Sequence, residues 1–377
     1  MATVVEHHLT GSLVGISETG VVTVKRPSGK VVRMPLEDVI EVDLCPADKA
    51  PSPETAGTLY LASGGHLRGR VLSSDKTAVT FASPLLGRAS IGFDGLLAYA
   101  PPRPQGAPDT HRAFVDELTA GTAKEDVVYL ANGDRIPGVI EMLTPGKVVV
   151  SGPLGRREYV GTDVTAVAFS RERLQPVLPD SLYVGLTFVD GSVLSAHVTS
   201  MSNQVFILEA VVGFHLNATA ETISRFEVHN GRVVRLSNVK PARVTYVPYY
   251  NRVWPMRRDL SAWGRPLTVK GRTFTSGLGL ASRTTLVYAL DGTFDRLEAH
   301  VGIDDETNGK GEALLTITTD GRRAFNRTLT GGKPAVALNV PLAGIKELVI
   351  LVDFAGGTDI GDHVDLGDAR LIRAKRE

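Results

Sequence analysis

From Leu9 onward the chain alternates apolar and polar residues in short runs, and glycine-containing turns cut those runs apart. Lys147-Val148-Val149-Val150-Ser151, Leu286-Val287-Tyr288-Ala289-Leu290 and Ala313-Leu314-Leu315-Thr316-Ile317-Thr318-Thr319 are examples. Period-two patterning of β-branched and aromatic residues predicts half-buried strands. The punctuation agrees, since Asn132-Gly133, Asp190-Gly191, Asp291-Gly292 and Asp320-Gly321 tolerate positive φ and predict tight hairpins. A helical period is visible only over His111–Leu118, where Phe114, Val115 and Leu118 share a face. The pattern predicts an all-β protein.

The first two thirds repeat themselves. Tyr60-Leu61-Ala62-Ser63-Gly64-Gly65-His66-Leu67-Arg68-Gly69 aligns with Tyr129-Leu130-Ala131-Asn132-Gly133-Asp134-Arg135-Ile136-Pro137-Gly138 at an offset of 69 residues. The same ungapped offset carries Pro84-Leu85 onto Pro153-Leu154, Arg88 onto Arg157 and Asp94 onto Asp163. A third copy starts near Leu186 and runs to Val228, and a fourth, clipped at its front, lies over Leu9 to Leu44. Each copy reads as five short strands and resembles an SH3 or Sm barrel, a small bent sheet whose closure would remove its edges. Proline-rich stretches at Pro46–Gly57 and Pro101–Pro108, and the segment Ser170–Ser181, read as linkers. The expected organisation is a partial barrel-like repeat over 1–46, further repeats over 58–100, 127–170 and 182–236, and a larger jelly-roll sandwich over 239–377.

Composition narrows the function. The 41 basic and 41 acidic residues cancel, so the chain lacks the field that draws proteins to nucleic acid, and its repeats lack clustered Lys/Arg with interleaved aromatics. No apolar run is long enough to span a membrane. Cys45, the only cysteine, excludes an internal disulfide. Residues 1–10 hold no signal peptide, and the abrupt start into strand-like sequence fits an exported protein whose signal is not in this chain, or equally a cytoplasmic protein. Gly-x-Ser-x-Gly, His-Glu-x-x-His, the P-loop and paired Cys-x-x-Cys are all missing, His7-His8 sits at a terminus, and small barrels offer no cleft for paired carboxylates. The chain is not expected to be an enzyme.

Four islands in the last third belong together. They are Lys240-Pro241 with Trp254-Pro255, Gly277-Leu278-Gly279-Leu280-Ala281-Ser282, Gly302-Ile303-Asp304-Asp305-Glu306, and Gly361-Asp362-His363-Val364-Asp365-Leu366-Gly367-Asp368-Ala369-Arg370-Leu371. Their order and spacing resemble the NPCBM/NEW2 module, a β-sandwich appended to bacterial extracellular proteins and glycosidases. The resemblance implies carbohydrate binding. Two positions depart from the family pattern: Ala281 stands where a histidine is usual, and Leu366 where a tryptophan is usual.

Sugar sites use aromatic faces and polar side chains, so the candidate carbohydrate-binding residues are Trp254, Trp263, Asp305 and His363. Tyr246, Tyr249 and Tyr250 precede the tryptophans, and the same aromatics would also serve to pack a lead-in strand onto the sandwich. Asp304, Asp305 and Asp362 offer hard oxygen ligands for Ca²⁺, although aspartates in turns also accept backbone N–H groups. Arg88 and Arg157 read as solvated loop residues. The leading expectation is a non-catalytic, exported bacterial surface or envelope protein. Its C-terminal module would meet carbohydrate or another envelope protein, and its repeats would space or assemble the molecule as a homo-oligomer. The alternatives are a self-assembling structural protein whose sandwich binds no sugar, and, ranked last, an Sm-like nucleic-acid binder.

Overall fold

The computed structural model describes residues 2–3, 9–44, 56–102, 124–153, 155–174, 178–248, 253–356 and 360–374. Cys45, His7-His8, Tyr249, Tyr250, Leu154, the His111–Leu118 helix and most of the two proline-rich linkers lie outside the described residues. Among the described residues the regular elements are β-strands and three-residue 3₁₀ turns. No helix there is long and apolar enough to cross a membrane. The chain divides into two compact units, Met1–Gly231 and Arg232–Glu377.

The first unit contains the four repeats in one continuous apolar core. The second repeat is typical. Strands Gly57–Leu61, His66–Ser74, Ala78–Ser83 and Gly87–Gly92 run as an antiparallel meander. A 3₁₀ turn, Phe93–Gly95, then returns the chain so that Leu96–Ala100 pairs with the first strand. The third repeat, from Asp126–Leu130 to Val164–Ala168, and the fourth, from Tyr183–Phe188 to Ile223–His229, follow the same order. A register shift bends each long second strand, at Val71/Ser73, Ile140/Met142 and Val198/Ser200.

Three expectations are corrected here. The ladders do not close into barrels, because among the described residues no succession of pairings returns to its starting strand. The repeats are also not beads on tethers. The open edge of each fifth strand is covered by the fifth strand of another repeat, which satisfies backbone groups that closure would otherwise have to satisfy. Tyr99 pairs with Val167 between repeats two and three, and Val42 with Phe226 between repeats one and four. Each of these is the fourth residue of its strand, so both pairs are built about the same local two-fold. A further contact joins repeats two and four, where Val193 pairs with His66 and the Arg68 N–H donates to Ser192 Oγ at 2.9 Å. Pro137 holds the position of Arg68 in repeat three and has no N–H to offer an equivalent neighbour.

The third correction concerns register. The hairpin turn from Ser83 to Gly87 is one residue longer than that from Gly152 to Gly155. Beyond that turn the ungapped offset fails, and Arg156, paired with Ser151, stands where Arg88 stands opposite Ala82. Arg157 and Asp163 are therefore not the counterparts of Arg88 and Asp94.

The second unit is a two-layer antiparallel sandwich. Its six-stranded sheet runs Arg257–Arg258, Gly277–Ala281, His363–Arg373, Phe294–Ile303, Val336–Pro341, with Val233–Arg235 also pairing to His363–Arg373. Its five-stranded sheet runs Arg243–Tyr246, Thr284–Ala289, Glu347–Phe354, Glu312–Thr319, Arg322–Thr330. Leu280, Leu297, Val301, Leu366 and Leu371 from one sheet meet Leu286, Tyr288, Leu315, Ile317 and Ile350 from the other in a single core. Val233–Arg235, expected within the last repeat, belongs to this sandwich instead.

Asp126 locks the third repeat. It is 1% exposed, and its carboxylate accepts N–H groups from Ile140 at 2.9 Å and Ser170 at 2.8 Å and pairs with Arg173. Removing it strands two buried donors and a guanidinium. Asp126→Ala is expected to cost the first unit about 2–4 kcal/mol in urea denaturation. A midpoint equal to that of the parent protein would show that this clamp contributes nothing.

Candidate functional site

One end of the sandwich gathers three aromatic rings. Trp254 and Trp263 meet edge to face with centroids 4.8 Å apart, and His363 lies 4.6 Å from Trp254 and 5.3 Å from Trp263. His363 is buried, while Trp263 remains 46% exposed and offers a ring to solvent. Three of the four residues expected to bind sugar thus come together, although 109 positions of sequence separate Trp254 from His363.

The glycine motif makes this possible. Arg257 and Arg258 pair with Gly279 and Leu278 at the sheet edge. The chain then turns back across the same strand, and a Cβ on Gly279 would lie 2.4 Å from the Leu260 carbonyl oxygen and 2.5 Å from the Ser261 carbonyl carbon. Only a residue without a side chain admits that approach. Asp259 fastens the turn: its N–H donates to the Gly277 carbonyl at 2.9 Å, and its carboxylate accepts the Gly277 N–H at 2.9 Å. Ser261 and Arg265 reach Glu306 at 3.3 and 3.1 Å, and Arg257 Nε donates to the Ala262 carbonyl at 3.2 Å. The loop carrying Trp263 is therefore held from both sides.

The carboxylates do other work. Asp305, expected at the sugar site, accepts the Lys270 and Gly271 N–H groups at 2.7 Å each and caps the small hairpin of Leu267–Val269 and Arg272–Phe274. Asp304 accepts the Glu306 N–H at 2.7 Å, and Asp362 accepts the Glu312 N–H at 2.8 Å. Backbone donors thus occupy both oxygens of Asp305 and one oxygen each of Asp304 and Asp362. Among the described residues no three His, Cys, Asp or Glu side chains converge on a metal-holding position. Turn capping explains why: each aspartate satisfies a different loop.

Asp365, in the same acidic stretch of sequence as Asp362 and Asp368, is fully buried beneath this end. It accepts the Thr268 N–H at 2.9 Å and faces the equally buried Asp304. Burial, then the hydrogen bond and charge of Asp304, push its carboxyl up to about 10. Its location under the Asp304–His363 backbone bond (2.9 Å) couples it to the strand that carries the imidazole.

The two departures from the family pattern separate in space. Leu366 is wholly buried opposite Leu278 and Val301, in the core. Ala281 stands directly beside His363 in the paired register, at the edge of the aromatic cluster. Sequence reasoning missed Asp259, for which the spacing Gly277-Leu278-Gly279 was the available signal, and read Glu306 and Asp365 only as members of acidic motifs.

Residues 232–372 match the NPCBM/NEW2 domain family. The C-terminal unit is an NPCBM/NEW2 domain. Over 110 residues the chain is 28% identical to a Renibacterium salmoninarum protein named as an endo-α-N-acetylgalactosaminidase, a match spanning 29% of this chain and 7% of that relative. Among solved structures, the CBM51 from Clostridium perfringens GH95 in complex with methyl-galactose is similar at 26% identity and a TM-score of 0.34, covering 37% of this chain and 99% of that one. The CBM51-2 and INT domains of Clostridium perfringens ZmpB, in complex with GlcNAc, are similar at 20% identity and a TM-score of 0.35, covering 50% of this chain and 40% of that one.

Two outcomes are expected of the NPCBM/NEW2 domain. Gly279→Ala forces the Trp263 loop off its strand, costing about 1–3 kcal/mol in thermal denaturation and weakening the tryptophan near-ultraviolet dichroism; an unchanged spectrum would remove the glycine from this role. The second concerns pH. The folded domain keeps a proton on Asp365 that an unfolded carboxyl releases near its ordinary value of 3.8, so this group's contribution declines as pH rises from there to about 10. Urea midpoints of the parent protein should therefore fall between about pH 5 and about pH 9, and Asp365→Asn should flatten that fall.

Proposed function

We propose that this protein is a non-catalytic carbohydrate-binding protein of an exported bacterial surface or envelope assembly, and that its NPCBM/NEW2 domain holds a sugar ring against Trp263. The observation that carries this reading is the convergence of Trp254, Trp263 and His363 at one end of a domain matched to that family. An exposed indole supplies a face for sugar C–H groups, and its neighbours fix the ring so that little side-chain entropy is lost on binding. Ser261, Arg265 and Glu306 border the same loop and supply donors and acceptors for hydroxyls. The repeats act as a spacer or assembly scaffold.

Isothermal titration of the whole chain against neutral monosaccharides, methyl-galactose and GlcNAc included, tests this. Trp263→Ala is expected to weaken the best ligand by about tenfold or more while leaving the unfolding midpoint in place. Equal affinity in the parent and the variant would place any sugar elsewhere.

A further inference from the structure

We propose a second binding site in the sandwich, an anion-recognising cleft for a sulfate ester or carboxylate carried on a glycan. The cleft, about 510 Å³, opens between the edge strands Arg322–Thr330 and Val336–Pro341, one from each sheet. In the six-stranded sheet it lies at the opposite edge from Arg257–Arg258 and the aromatic loop. It is lined by Gly302, Arg327, Leu329, Lys333, Pro334 and Val336 among others, and no carboxylate lines it.

Arg327 is the unusual member. It pairs in register with Leu315, a fully buried core residue, and its neighbours on the same face of the strand are Phe325 and the buried Leu329. Arg327 itself is exposed, so a cation stands at the rim of an apolar interior. Neither Arg327 nor Lys333 forms an ion pair among the described residues, so neither charge is compensated by the protein. The loop bearing Lys333 is anchored, because a Cβ on Gly331 would lie 2.4 Å from the Lys310 carbonyl oxygen. Each edge strand pairs on one side only, which leaves backbone N–H groups available toward the cleft. A forked guanidinium, an ammonium and edge amides suit an oxyanion. A charge on an edge strand also guards against sheet extension, and that role alone needs neither Lys333 nor a cavity.

The glycan part of the proposal rests on the carbohydrate reading above; the anion part does not. The test titrates the whole chain with a sulfated heparin-derived tetrasaccharide, its desulfated counterpart, a hyaluronan tetrasaccharide carrying only carboxylates, and polyglutamate. The sulfated or the carboxylated sugar should bind at least about tenfold more tightly than the neutral one, and whichever does identifies the oxyanion. The double variant Arg327→Ala/Lys333→Ala should lose about tenfold for that ligand, since two exposed charge contacts contribute a few-fold each. Its unfolding midpoint should match the parent, and Trp263→Ala should keep the anionic affinity. Equal binding of charged and neutral sugars, an unchanged double variant, polyglutamate binding as tightly, or loss on Trp263→Ala would each overturn the cleft. Loss of neutral-sugar binding at Trp263 with the anionic affinity intact would sink the aromatic site alone.

Discussion

The aromatic end of the C-terminal unit depends on one close approach of backbone to backbone. At Gly279 the loop from Asp259 to Gly264 crosses its own partner strand at a distance that no Cβ tolerates. With that approach in place, Asp259 closes on Gly277, the loop reaches Glu306, and Trp263 comes to rest against Trp254 and His363. Aromatic rings held this way present a rigid face. Conformational entropy that a flexible loop would lose on binding has already been lost on folding.

A different constraint governs the repeats. A five-stranded meander that does not close leaves an edge, and exposed edges invite pairing with other chains. Here the chain spends its fifth-strand edges on itself, in two pairs built about the same local two-fold. The contact between repeats two and four then joins the pairs through the starts of their second strands. Pro137 denies the corresponding edge of repeat three the amide that this contact uses, so the arrangement has a chemical stop. Sequence repetition in this molecule therefore produces one compact unit, with an apolar core running through all four copies.

The acidic residues of the sandwich show how one residue type divides its labour by burial. Asp305 is placed to cap a hairpin with both oxygens, whereas Asp304 and Asp365 face each other where water does not reach. Burial and the neighbouring Asp304 carboxyl favour a proton on Asp365. The strand carrying His363 thus also carries a buried carboxyl with a raised pKa.

The amino-acid sequence by itself determined the all-β class, the repeats and the character of the last third, because alternation, Asn-Gly and Asp-Gly turns and glycine motifs are local signals that survive without tertiary contacts. It also singled out Trp254, Trp263 and His363, since residue chemistry is readable one position at a time. Open ladders and paired repeats were decided only by tertiary structure: whether a fifth strand closes its own sheet or joins a neighbour's depends on which edge is nearer in space. The register slip between Arg88 and Arg156 arose the same way, from a turn one residue shorter that an ungapped alignment passes over. Asp305 and Asp365 looked alike, as acidic members of two motifs, because a carboxylate's role follows from the donors and depth that surround it. Those are properties of the folded molecule alone.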